Sequence, residues 1–589
     1  MPSTAQHSDQ GPDNKDDVVE QFDNVDNPEE KNLCYEENEE PALHARTYFA
    51  LAAMFFLNLV QVFGLLGPPA ALPYIEKDLN NTIAGSWVPN SLSLVQAVLS
   101  PLLSSLSDTF QARKAFLVGP AIISFIGSAI APGSTNIYRL IAAQVLIGFG
   151  FATVPLAYCV PSDILPRRWR AMAQACINIA GSVGACAGPL IIGSLTRANP
   201  HTGWRNYYWI QMALWGVTAI GLFVGYRPPK RHTRLDHLSF WQKLGRVDLL
   251  GFFLLTAGLT IFLTGLNLGG GLYTWSSGPV LATLIVGILT LVAFGIYEWK
   301  FTRTGILHHD LFHGGKVGNS AGHTFAICIV LIFIEAIMLF PFVIFYPVLT
   351  TILFETDPFL MAVRQLPYWI AAAMSTVIYG YYSVKFKTIR APMLVGFIIF
   401  TSGLVGMSTI QPDNNSSAIV FLALSGLGFG APLILVIAGV QLSTPHHLIA
   451  TATAATACSR AIAASVFTAI YYAASNARLE NYIPQYISKA ALQAGLPQSS
   501  VNAFVEALSS NDDASLKNIS GITSEIISSG VSALRQAYAD GLRVVFIIAV
   551  PFGVIACVAS LYLGDLKKAM NYGVDAPIEN LHAKRRAQT

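Results

Sequence analysis

Two charged side chains stand deep inside apolar runs of this sequence: Glu335, within Phe325 to Phe354, and Arg460, in the Ala-rich stretch after Ala450. An ionisable group at membrane depth is costly to keep there, which makes each one a functional candidate. Glu335 could bind a proton or a cationic group, with Arg460 pairing with it or with an anionic group. The alternative is a structural ion pair that holds the C-terminal half together. Uncharged polar residues in other apolar runs, Gln61, Gln96, Gln144, Tyr158, Asn178, Gln211 and Tyr379, could line a pathway. Each is more readily a contact between helices than a ligand contact. Taken with the many Phe and Trp residues, they suit a large, mostly apolar ligand with a few hydrogen-bonding groups. No G-x-x-x-x-G-K-[ST] run is present to support an ATP-driven pump, and no serine elbow or zinc spacing is evident. His308-His309-Asp310 and His446-His447 lack a partner cluster. The chain is therefore not read as an enzyme, and no cofactor or metal is expected.

The elements that must position these groups are membrane helices. Of the 589 residues 53% are hydrophobic and only 12% charged, against about 25% charged in a typical soluble protein. So much apolar sequence needs lipid around it. A span takes about 20 apolar residues, which predicts fourteen spans. They fall near 47–70, 86–107, 115–133, 138–160, 171–195, 205–226, 247–268, 278–298, 322–350, 359–382, 391–410, 417–440, 449–473 and 541–563. The ninth is overlong, and Pro341 and Pro347 are expected to kink it.

Lys and Arg in the short loops orient the spans. One set of loops carries Arg113 and Lys114; Arg167, Arg168 and Arg170; Arg227, Lys230, Arg231 and Arg234; Lys300 and Arg303; Lys385, Lys387 and Arg390. Lys567, Lys568, Lys584, Arg585 and Arg586 add to that side, so both termini are expected in the cytosol. The glycosylation acceptors Asn80, Asn414, Asn415 and Asn518 all fall in loops this rule places outside. Residues 1–46 read as a disordered acidic tail and 564–589 as a basic cytosolic tail. The exterior segment 476–540 reads as a small helical cap. The cysteines lie in apolar runs or in the tail, which makes a disulfide framework unlikely. The net charge of +2 offers nothing to nucleic acid.

A repeat is visible. Gly148-Phe149-Gly150, followed by Pro155-Leu156, matches Gly426-Leu427-Gly428, followed by Pro432-Leu433. Each run leads to a loop with a proline, Pro166 or Pro445, and then to an Ala-rich span. Matching the fourth span to the twelfth implies two six-helix halves, 47–226 and 317–563, with linkers and two extra helices in 227–316. Parallel halves of this kind mark transporters that rock around a central site.

The loop after the second span, Leu106-Ser107-Asp108-Thr109-Phe110-Gln111-Ala112-Arg113-Lys114, resembles the loop signature of the major facilitator superfamily. Asp163, Pro166 and Arg170 resemble the pattern that partners it. The resemblance implies a cytosolic charge latch of Asp108, Arg113, Lys114, Asp163 and Arg170, formed in one conformation and broken in the other. Gly181, Gly184, Gly188-Pro189 and Gly193 resemble the antiporter signature of the fifth span. Gly203-Trp204-Arg205 is similar to the fourteen-span drug:proton antiporters. Its continuation Asn206-Tyr207-Tyr208-Trp209, with Arg246, Asp248 and Gly251, looks most like the fungal trichothecene-efflux-pump group.

The implied fold is an all-α polytopic membrane protein of major facilitator type. The implied function is proton-coupled export of a small hydrophobic toxin, drug or secondary metabolite, by a monomer in the plasma membrane. Siderophore-type uptake is the alternative. Two departures bear on coupling. Gly64 stands where such antiporters carry an Asp in the first span, and Gln144 where they carry an Arg in the fourth.

Overall fold

The computed structural model of the chain describes residues 33–34, 39–81, 84–228, 241–242, 248–269, 273–302, 311, 319–509, 516 and 519–584. Outside the described residues lie most of the predicted N-terminal tail, residues 585–589 of the C-terminal one, Asn518, His308 to Asp310, Arg246, and the loop residues Lys230, Arg231, Arg234 and Arg303.

Where hydrophobicity is continuous, helices form. They are α1 (Ala45–Ala70), α2 (Leu72–Asp78), α3 (Trp87–Phe110), α4 (Arg113–Ile130), α5 (Ile137–Phe151), α6 (Val154–Ile164), α7 (Arg170–Ala198) and α8 (Gly203–Gly225) in the first half. Two extra helices follow, α9 (Leu249–Asn267) and α10 (Gly278–Lys300). The second half holds α11 (Asn319–Phe340), α12 (Tyr346–Leu353), α13 (Pro358–Phe386), α14 (Arg390–Met407), α15 (Asn415–Ser443), α16 (Ile449–Gln493), α17 (Val501–Ser509) and α18 (Ser524–Leu561). Proline breaks the long runs, as its missing N–H requires. The predicted fourth span is α5 and α6, parted before Pro155, and a π turn at Pro341–Phe345 separates α11 from α12.

Among the described residues twelve helical segments are long and apolar enough to cross a membrane. The predicted second and tenth spans are helices too, α3 and α13 of 24 and 29 residues, but they are more polar and fall outside that set. Ser91, Ser100, Ser104 and Ser107 account for much of the difference in α3, and all four are buried. These two helices pack against the opposite half, α3 on α16 and α13 on α7. Helix surface that meets protein need not be as apolar as surface that faces lipid. Helix α10 is the opposite case, with Ile285, Leu289 and Val292 about half exposed.

The repeat appears in the packing. A Cβ on Gly148 would meet Val95 of α3, and one on Gly150 would meet Ser124 of α4. In the second half Gly426 and Gly430 lie against α13, at Tyr368 and Ser375, and Gly428 lies against Phe400 of α14. The linking turns also match. Pro166 (φ −53°, ψ 139°) and Pro445 (φ −56°, ψ 142°) each open a single 3-10 turn before the next helix.

The predicted exterior cap is helical. Helix α16 runs far past the predicted end of its span, and α17 closes over it through Phe504, Ala507 and Leu508. The C-terminal segment after α18 is not a featureless tail. Leu566 and Met570 bury in the core of the second half, and the chain then crosses to the first. There Leu581–His582 (β2) pairs in parallel with Leu33–Cys34 (β1). Beside this pair, Pro41 and Ala583 form an isolated antiparallel bridge. These contacts bring the segments around residues 33–41 and 581–583 to one face.

Candidate functional site

Glu335 and Arg460 meet in the interior of the second half, on the packed pair α11 and α16. Arg460 donates from Nε to Glu335 Oε2 at 3.0 Å and from Nη2 to Oε1 at 3.2 Å. This is the two-pronged contact that a guanidinium makes best with a carboxylate. The two partners are unequally placed: the Glu335 side chain is 0% exposed and that of Arg460 is 26% exposed. The carboxylate is on the dry side of the pair. Phe333 and Phe467, on the same two helices, meet edge to face with ring centroids 6.3 Å apart.

The amides of the first half form a second buried group. Gln61 donates to the Gly150 carbonyl at 2.9 Å, and Gln144 donates to the Tyr208 hydroxyl at 2.8 Å. Gln211 fills the space that a side chain at Gly64 would occupy, since a Cβ there would lie 2.5 Å from Gln211 Nε2. The departure at Gly64 and the amide at Gln211 are thus one feature. Neither amide atom of Gln211 has a hydrogen-bond partner among the described residues. Tyr379 lies apart from both groups, on α13, where the adjacent Gly380 touches Ala171 and Ala175 of α7.

At the face where β1 and β2 meet, the halves are joined by a nearly dry set of charges. Arg113 contacts Asp108 at 3.2 Å and forms an ion pair with Asp163. Asp108 also accepts from the backbone N–H and hydroxyl of Thr451, both at 3.1 Å, across the interface. Arg170 does not pair with Asp163. Its partner is Asp575, and it also donates to the carbonyls of Ser162 and Gln441. Arg167 binds the same carboxylate at 2.6 Å. Burial alone would raise the Asp575 carboxyl, but Arg170 and then Arg167 outweigh it and hold it below the ordinary carboxylate range. Lys114 is not part of this set; its ammonium lies 4.6 Å from the centre of the Phe223 ring.

The fifth-span glycines are packing contacts. A Cβ on Gly184 would come within 2.4 Å of the Leu59 carbonyl, and one on Gly188 within 2.9 Å of that of Phe63. Gly181 rests on Asn58 of the same helix, α1, while Gly193 meets Pro358 of α13. Pro189 lies inside α7. The outer end of α7 adds a more exposed cross-half pair, Arg197 to Asp357 at 3.2 Å. The Gly-Trp-Arg motif acts as a clamp. Arg205 and the Trp204 indole both donate to Asp78, at 2.8 and 3.1 Å, and Arg205 also binds the carbonyls of Pro132 and Ser134. Asn80, Asn414 and Asn415 are exposed at that end, away from the termini.

Comparison with known proteins agrees with this architecture. The profile of the fungal trichothecene efflux pump family (TRI12) matches residues 26–588. The chain belongs to that family. Trichothecene efflux pump TRI12 of Fusarium sporotrichioides is 26% identical over 87% of this chain and 85% of its own length. Efflux pump FUS6 of Gibberella fujikuroi is 24% identical over 91% and 93%. Two solved structures share the fold, both with a TM-score of 0.53. One is a bacterial homologue of the human lysosomal transporter Spinster, 16% identical over 88% of this chain and 97% of that one. The other is the proton:xylose symporter XylE, 11% identical over 89% and 98%. The protein is a multi-pass transporter of the major facilitator superfamily, an efflux pump by family and not an enzyme.

Proposed function

We propose that this transporter exports a small hydrophobic toxin or secondary metabolite from the cytosol in exchange for protons, by alternating access across fourteen spans. The observation that carries the reading is Glu335. It is fully buried in mid-span, and its only described ionic partner is a guanidinium that stays partly accessible. A carboxylate in that position can take up a proton when Arg460 turns to another partner, and give it back when the pair re-forms. Coupling then does not need an acid at Gly64. One proton moved through 100 mV supplies about 2.3 kcal/mol, enough for roughly a fifty-fold cargo gradient. Gln61, Gln144 and Gln211 would offer hydrogen bonds to the few polar atoms of the cargo, and the aromatic walls would hold the rest. The named cargo of the Fusarium sporotrichioides relative, a trichothecene, is the first compound to test.

The face with the basic loops and both termini is read as cytosolic, with the plasma membrane as host and Asn80, Asn414, Asn415 and Asn518 outside. In this state the cytosolic face is closed by Asp108, Arg113, Asp163 and Arg170. Siderophore-type uptake is the second reading; the glycine series along α7 favours export. The test is transport of a labelled trichothecene into inside-out vesicles under an imposed proton gradient. Glu335→Gln is expected to abolish gradient-driven accumulation. Undiminished, equally pH-dependent accumulation by that variant excludes Glu335 as the proton carrier.

A further inference from the structure

The C-terminal segment after α18 connects the two halves at the face where β1 and β2 meet. It starts in the second half, where Leu563, Leu566 and Met570 are buried. It then runs along the turn between α6 and α7 of the first half. Arg168 N–H donates to the Asn571 carbonyl at 2.8 Å, Arg167 N–H to that of Gly573 at 3.0 Å, and Ala576 N–H to that of Asp163 at 2.8 Å. Further on, Glu579 accepts from the Thr47 hydroxyl at 2.6 Å, at the start of α1. Between these anchors Asp575 reaches Arg170, whose side chain is 2% exposed. Arg170 in turn bridges the halves, through Ser162 on one side and Gln441 on the other.

A buried guanidinium needs a counter-charge, while a hydrated one does not. Asp163, the acid seven residues before Arg170 in the same motif, is engaged by Arg113. So the counter-charge for Arg170 in this state comes from the tail. If the face opens, α7 leaves Gln441 and Arg170 becomes hydrated, and Asp575 then contributes little. A contact that is strong in one state and weak in the other shifts the balance between them.

We propose that Asp575 is a gating residue of the transport cycle: the C-terminal segment supplies it to Arg170 as a clasp that holds this face closed and releases when the face opens. The proposal rests on the alternating-access part of the reading above, and on neither the cargo nor the proton. Removing the clasp is expected to raise the open fraction at this face at least tenfold, equivalent to about 1.4 kcal/mol.

The chain contains its own reporter. Cys159 is fully buried between the halves just inside this face, against Ile449 and Thr453 of α16. Cys328 is equally buried, but in the core of the second half. The experiment measures N-ethylmaleimide modification of both cysteines in the full-length chain in lipid nanodiscs, by peptide mass spectrometry, without cargo or gradient. Asp575→Asn should label Cys159 at least ten times faster than the parent, with Cys328 still protected, and Asp575→Glu should restore most of the protection. A Cys159 rate within twofold of the parent overturns the proposal. So does a parallel rise at Cys328, which would mean that Asp575 only supports the fold. Because the readout needs neither transport nor a proton gradient, a wrong cargo or coupling ion cannot produce either result.

Discussion

Breaking the Glu335–Arg460 pair from its two ends should have different costs, and pH should separate them. In Glu335→Gln the amide oxygen still accepts from Arg460, whose side chain is 26% exposed and keeps some access to water. The loss is then one charge-assisted contact exchanged for a neutral one, about 1–2 kcal/mol, and nothing left behind titrates near neutrality. In Arg460→Gln the residue left behind is a carboxylate with 0% exposure. Stranding a buried charge costs about 3–5 kcal/mol, but the group can escape by binding a proton. From an ordinary Glu value of about 4.3, that escape costs about 3.7 kcal/mol at pH 7 and about 1 kcal/mol at pH 5. The variant's folded state then binds one proton more than its unfolded state, so its stability falls as pH rises, by about 1.4 kcal/mol per pH unit. The assay is thermal unfolding of the purified parent and both variants between pH 5 and 7.5. The expected result is a nearly flat penalty for Glu335→Gln and a steep one for Arg460→Gln, the two converging near pH 5. Equal, pH-independent penalties would show that Glu335 reaches water, which would remove the physical basis of its assigned role.

Other outcomes follow from the same contacts. Gly184→Ala places a Cβ 2.4 Å from the Leu59 backbone carbonyl and should destabilise the chain by about 1–3 kcal/mol. Gly221→Ala, in helix α8 with nothing near its Cβ, should be neutral or gain up to about 1 kcal/mol; thermal unfolding compares the two. Gly64→Asp should be poorly tolerated because Gln211 fills that space, and Gln211→Ala in the same chain should recover expression and melting temperature. The Asp575 carboxyl is held below its ordinary value when docked, so docking is complete above that value and weakens only as pH falls through the docked one. Hydrogen exchange at Arg167 and Arg168, corrected for intrinsic rates, should therefore show constant protection from pH 7.5 down to 5.

What the sequence reveals here is what repeats or is costly. Spans are legible because each must be apolar over its length. The α7 glycines are legible because close helix contact needs them at fixed spacing, and Glu335 and Arg460 because a charge stands out in an apolar run. The partner of Arg170 was not legible. Asp575 lies 405 positions away in a polar stretch that has no helical period to mark it as buried. The motif groups Asp163 and Arg170 as partners of the loop that carries Arg113; Arg113 does hold Asp163, while the counter-charge for Arg170 comes from outside the motif. Gly64 and Gln211 were each singled out, but their contact joins α1 to α8, and no local spacing encodes that. Helices α3 and α13 are the subtler case. The buried serines of α3 and the buried Tyr368, Ser375 and Thr376 of α13 dilute the apolar signal because they face protein rather than lipid.

The most direct test of the account is accumulation of a labelled trichothecene by intact cells that express the parent chain or Glu335→Gln, each with and without a protonophore. The account predicts low accumulation with the parent, restored to the level of cells lacking the protein by either the protonophore or the substitution. Low accumulation that persists in both conditions would contradict proton coupling through Glu335, and higher accumulation with the parent would reverse the direction of transport.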